Sequence, residues 1–118
     1  MGYDCVLVAL ARVTGLEYSY LMALRPQGHE VLWPNYQEPR CRRGWCVEEY
    51  ITILALEHKV YLSPVYPIVM VQGVVYHEEC VPEVDGILML SRGHAVGLFA
   101  GEPRPVESWD CFWMVHRG

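Results

Sequence analysis

The chain has 118 residues, 53 % of them hydrophobic, and a formal net charge of -5. That suffices for a single domain, 1–118, with its own core, and it is too apolar for a disordered chain. The acidic balance argues against a nucleic-acid partner, which selects a basic face, and no apolar run nears the ~20 residues of a membrane span.

The first residues lack a basic n-region, and the apolar run from Cys5 to Ala11 ends at Arg12. A signal peptide is therefore not expected. Met1-Gly2 does not continue into a myristoylation pattern, because position 6 is Val. The five cysteines, Cys5, Cys41, Cys46, Cys80 and Cys111, are an odd number and read as reduced thiols of a cytoplasmic protein.

In chain order, Asp4 followed by Cys5 to Val13 and then Thr14-Gly15 reads as a capped helix. Asp4 suits the N-cap and Gly15 the C′ position. The helix is apolar nearly all round, which predicts a central, buried place. Leu16 to Arg25 reads as a second, shorter helix. The stretch from Pro26 to Gly44 is irregular, with Trp33, Tyr36 and the basic cluster Arg40, Arg42 and Arg43. A loop of this length walls a substrate cleft or packs its own aromatics on the surface.

Val47 to Glu57 reads as a third helix, with Val47, Tyr50, Ile51 and Leu54 on its apolar face and Glu48, Glu49 and Thr52 turned away. From Lys59 the pattern changes to strands: Val60 to Leu62, Ile68 to Val71, Val74 to Tyr76 and Ile87 to Leu90. His94 to Ala100 then reads as one arm of a hairpin, Gly101 to Pro105 as its turn and Val106 to Asp110 as its returning arm. Phe112 to Val115 closes the chain as a last strand. Helices first and antiparallel strands after define an α+β domain.

Cys5 would open the first helix, where the dipole and the free N–H groups of the first turn favour a thiolate. Most free cysteines are small buried hydrophobes instead, so the chemistry depends on a partner. His94 opens a late strand, and Glu107 and Asp110 lie on the next segment. A nucleophilic thiol needs a histidine to exchange protons with it and a polar group to orient that histidine. In the expected hairpin, cross-strand pairing would bring a carboxylate to His94. The bland alternatives are a backbone-satisfied histidine, two carboxylates on a solvated strand face, and a Trp109 that belongs to the core.

The segments Asp4-Cys5-Val-Leu-Val-Ala-Leu-Ala with Thr14-Gly15, Gly93-His94-Ala-Val-Gly-Leu and Val106-Glu-Ser-Trp-Asp110 together resemble the papain-like cysteine peptidase superfamily. The likeness is to its small members, such as bacteriocin-leader-processing peptidase domains and short phage or bacterial relatives. It implies a papain-like fold in which a central helix opened by Cys5 packs with other N-terminal helices on a C-terminal antiparallel sheet. It also implies a cysteine-dependent hydrolase of a peptide, isopeptide or amide bond, with no cofactor and with a protein or peptide as substrate.

In that scheme Cys5 is the nucleophile and His94 the base. Glu107, beside Ser-Trp, takes the orienting role ahead of Asp110, and Trp33, Tyr36 and Trp109 line the substrate site. One departure is plain. The family's Gln upstream of the Cys has no counterpart before Cys5, so oxyanion stabilisation falls to the Cys5 N–H and a donor near Tyr3 or Asp4.

Two other readings belong beside this one. The first is a papain-like module without catalysis, which binds or inhibits a host protein in the manner of a phage or mobile-element factor. The second is a zinc site from Cys41, Cys46, His77 and Cys80, whose spacings differ from the usual Cys-x2-Cys.

Overall fold

The computed structural model describes residues 4–24, 46–77 and 80–118. The chain folds as α1 (Cys5–Thr14), α2 (Tyr18–Ala23), a 3-10 turn (Val47–Tyr50) leading directly into α3 (Ile51–His58), and six strands. These are β1 (Val60–Val65), β2 (Ile68–Val71), β3 (Val74–His77), β4 (Gly86–Leu90), β5 (His94–Leu98) and β6 (Trp109–Arg117). The α+β class expected from the order of patterns is the one observed. No helix among the described residues is long and apolar enough to cross a membrane.

α1 ends as its sequence predicts. Gly15 takes the left-handed conformation at φ 78°, and its N–H donates to Ala11 O at 3.1 Å. The Thr14 hydroxyl donates to Leu10 O, which satisfies another late carbonyl. At the other end Asp4 departs from expectation. Its backbone lies outside the extended region and its side chain makes no capping bond. The carboxylate instead accepts a 2.7 Å hydrogen bond from the Tyr18 hydroxyl, which ties the start of α1 to α2.

α1 is also less buried than its composition implies. Val6, Leu7, Ala9, Leu10 and Val13 are buried, but Val8 and Arg12 are exposed, so one side of the helix is left uncovered. The third helical segment keeps Val47, Tyr50 and Leu54 fully buried as predicted, yet Glu49 is buried as well. The reason is the 3-10 turn at Val47–Tyr50: at three residues per turn the buried stripe no longer follows the α-helical phase.

Four strands form one antiparallel sheet in the order β1-β6-β4-β5, and β2 and β3 form a separate ribbon. Gln72 and Gly73, both at positive φ, make the tight ribbon turn whose twist suits a hairpin. This arrangement corrects the hairpin expected at 94–110. β5 pairs with β4, through the turn 91–93 with Gly93 at φ 79°, and β6 lies beyond β4. Residues 106–108 belong to no strand, and Trp109 opens the single strand that also contains Phe112 to Val115.

The core is built on both faces of the sheet. On one face α1 and α3 cover Ile87, Ala95, Cys111, Trp113 and Val115, and on the other Leu88, Leu90, Leu98, Trp109 and Phe112 pack with Val81. Close approach of α1 to β5 depends on Gly97, where an added Cβ would lie 2.8 Å from Ala9 O and 3.2 Å from Ala9 Cα. Ala95 and Gly97 are thus the small residues on which α1 rests.

Candidate functional site

Cys5 and His94 line one groove of about 500 Å³ along the outer side of β5. Cys5, Val8, Ala9 and Arg12 form its helical wall, with the spacing of one face of α1. All five residues of β5 form the opposite wall, and Glu102 closes the far end. Both Cys5 and His94 are half-buried.

Alternation along β5 puts Ala95 and Gly97 toward α1, and His94 on the same side as Val96 and Leu98. The histidine therefore belongs to the face opposite the helix that carries Cys5, at the first residue of the strand. No hydrogen bond joins the two side chains among the described residues. They share a groove without yet being an ion pair.

The two carboxylates lie elsewhere. Leu90 of β4 stands across from His94 on one side and from Trp109 on the other, so a whole strand separates His94 from β6. Met89 pairs with Cys111 and Leu90 with Trp109, which leaves Asp110 as the extra residue of a β-bulge. Its carboxylate accepts from the Ser91 hydroxyl at 2.8 Å. Glu107 is paired with Arg92 at 2.8 Å. Both acids thus steady the β4–β5 turn, and neither is bonded to His94.

Glu107 and Trp109 line a different cavity of about 650 Å³, together with Ile68, Cys80, Val81 and Arg104. Trp109 is buried in the second core cluster, which is the bland role weighed for it above. Trp33 and Tyr36 lie outside the described residues, as does Cys41 of the zinc alternative. No group of three or more His, Cys, Asp or Glu among the described residues is placed to hold a metal ion.

Composition and spacing did not single out the features that shape the groove. Arg12 donates two bonds to the Glu102 carboxylate, at 2.6 and 2.8 Å, and a third to Gly97 O at 2.8 Å. Its guanidinium also lies 4.7 Å from the centre of the Phe99 ring. Glu102 accepts the Phe99 N–H at 2.6 Å. The Arg12 bonds and then the Phe99 N–H hold the Glu102 carboxyl down to about 2. This clasp was legible in one respect: Arg12 falls seven residues after Cys5, the same face two turns on.

Arg104 performs a similar task nearby, donating to the carbonyls of Pro82, Val84, Phe99 and Glu102. The segment that looked like a hairpin turn is therefore a buckle. At the opposite end of the groove the hydrogen bond to Asp4, followed by burial, raises the Tyr18 hydroxyl above its ordinary pKa, so it donates at any neutral pH. Cys111 is chemically quiet for another reason: burial pushes its thiol up to about 11.

No family model matches the chain, and neither does any curated protein or solved structure.

Proposed function

We propose that the protein is a cysteine-dependent hydrolase of a peptide, isopeptide or related amide bond, built on a papain-like arrangement of helix and sheet. The observation that supports this reading is the shared groove: a cysteine opening α1 and a histidine opening β5 both line one open channel. Because Asp4 is turned to Tyr18 and does not cap, the first-turn N–H groups beside Cys5 keep no side-chain acceptor from it. Donors of this kind suit an oxyanion.

In this scheme the Cys5 thiol gives its proton to His94 and the sulfur attacks the substrate carbonyl. The amine leaves with the proton held by His94, and water then releases the acid from the thioester. Glu107 or Asp110 could orient His94 only after giving up its bond to Arg92 or Ser91. A working dyad would need His94 to turn over the strand edge toward Cys5.

A second reading, a binding module without catalysis, draws support from those same two engaged carboxylates.

Alkylation separates the two. The protein is titrated with iodoacetamide from acid to alkaline pH, the label is located by peptide mass, and His94→Ala is run in parallel. The hydrolase reading expects Cys5 to react at pH values well under the ~8.5 of a free thiol, and His94→Ala to abolish that advantage. A Cys5 that stays inert, or that ignores the loss of His94, overturns it in favour of the module.

A further inference from the structure

β5 is the last strand of its sheet and has no neighbour on its outer side among the described residues. Which of its backbone groups face outward follows from the clasp. Gly97 O accepts from Arg12, so the groups of Gly97 point away from β4. Antiparallel pairs alternate, so those of Ala95 point the same way, while His94, Val96 and Leu98 bond to β4. The outward Phe99 N–H, next in the series, is taken by Glu102.

The clasp therefore occupies the far half of the edge, Gly97 C=O and Phe99 N–H. Among the described residues the near half remains open: Ala95 N–H, Ala95 C=O and Gly97 N–H, beside Cys5 and His94. Every residue of β5 lines the groove, although their side chains alternate between two faces. That combination arises when the wall is the strand's own backbone.

We infer that this open half-edge binds an extended polypeptide segment by strand addition. Main-chain donors and acceptors at strand spacing are matched by another strand about 4.8 Å away, and not by a helix or a sugar–phosphate chain. Charge refines the occupant. Arg12 is neutralised by Glu102, whereas the Asp4 carboxylate at the opposite end has a hydroxyl partner and no ion pair among the described residues. A segment antiparallel to β5 ends beside His94 and Asp4, so a Lys or Arg near its C-terminal end fits. The inference stands on the strand edge and does not require a reactive Cys5.

The test uses the full chain carrying Cys5→Ala, so that no turnover intrudes. The probe is a fluorescein-labelled, C-terminally amidated peptide of alternating Val and Thr ending in Lys, with two N-methylated versions. One version is methylated at odd and the other at even positions, so that one set blocks each edge of the peptide. The unmodified peptide is expected to bind by fluorescence anisotropy, one methylated version to weaken at least tenfold, and the other to bind as before. In amide exchange followed by NMR, Ala95 and Gly97 should slow on binding while Val96 and Leu98 do not change. Arg12→Ala, which frees Gly97 O, should tighten binding several-fold.

No binding at millimolar peptide, equal losses from both methylated versions, or an unprotected Ala95 overturns the inference. So does a dimer in sedimentation whose Ala95 amide is already protected without peptide, since that gives the edge to a second copy. Because binding is read on Cys5→Ala, its failure leaves the thiol test untouched, and an inert thiol leaves the binding test untouched.

Discussion

The two edges of the four-stranded sheet solve the same problem in opposite ways. Unpaired strand edges invite pairing with other chains, and proteins blunt them with proline, charge or cover. At β1 the register with β6 turns the backbone groups of Val60, Leu62 and Pro64 outward, and Pro64 has no N–H to offer. α3 packs beside that strand as well. At β5 there is neither proline nor lysine, and the Arg12–Glu102 clasp closes one half alone. β1 loses one outward donor to proline and β5 gives one half of its edge to a side-chain clasp, so the outward groups left on β5 lie together, beside Cys5.

The largest effect on this contrast is expected from Gly97→Ala. Its Cβ would meet the Ala9 backbone at 2.8 Å, so α1 must move off β5. Overpacking of this kind costs about 2 kcal/mol, which urea unfolding would register as a lower midpoint. Pro64→Val should follow. It restores an outward N–H on β1 and is expected to raise self-association in light scattering while the unfolding midpoint hardly moves. If the variant stays as monodisperse as the parent, proline is not what guards that edge.

A smaller and more local change is expected from Glu102→Ala, which frees the Phe99 N–H and should speed its amide exchange without altering exchange in β4. The same protection has a predictable pH range. The folded carboxyl sits at about 2, below the ordinary carboxylate value, so the clasp contributes fully above about pH 4.5 and is lost as pH falls through 2. Protection of Phe99 that already fails at pH 5 contradicts this. The smallest effect is a null one: Cys111, with its thiol raised to about 11, should take no iodoacetamide at neutral pH while exposed Cys80 does.

How far the sequence discloses this molecule depends on the range of each interaction. α1 and its Gly15 stop, β2 at Ile68–Val71 and the start of the third helical segment rest on periodicity and capping, which are local, and all were legible. Strand partnership is not local. Gly101 to Pro105 carries every mark of a hairpin turn, but Glu102 and Arg104 spend their side chains on distant carbonyls and on Arg12, and the adjoining strand goes to β4's far side. The true turn, Ser91-Arg92-Gly93, is shorter and plainer. For the candidate site, the places of Cys5 at a helix start and His94 at a strand start were legible, because such starts are visible in composition. The engagement of Glu107 and Asp110 was not, because it follows from which strand lies between them and His94.

Arg12 bonds to Gly97 and Arg117 to the carbonyl of Val13, contacts that span 85 and 104 residues of chain. The sheet side of α1 therefore finds its partners only once strands far along the chain are in place, whereas its contacts with α2 are local. Contacts of such separation slow folding, because loop closure must precede the gain from burial. Before β5 pairs, α1 has its contacts with α2 and lacks its cover from the sheet, so a holding chaperone acting in that interval is expected to raise the yield of native protein.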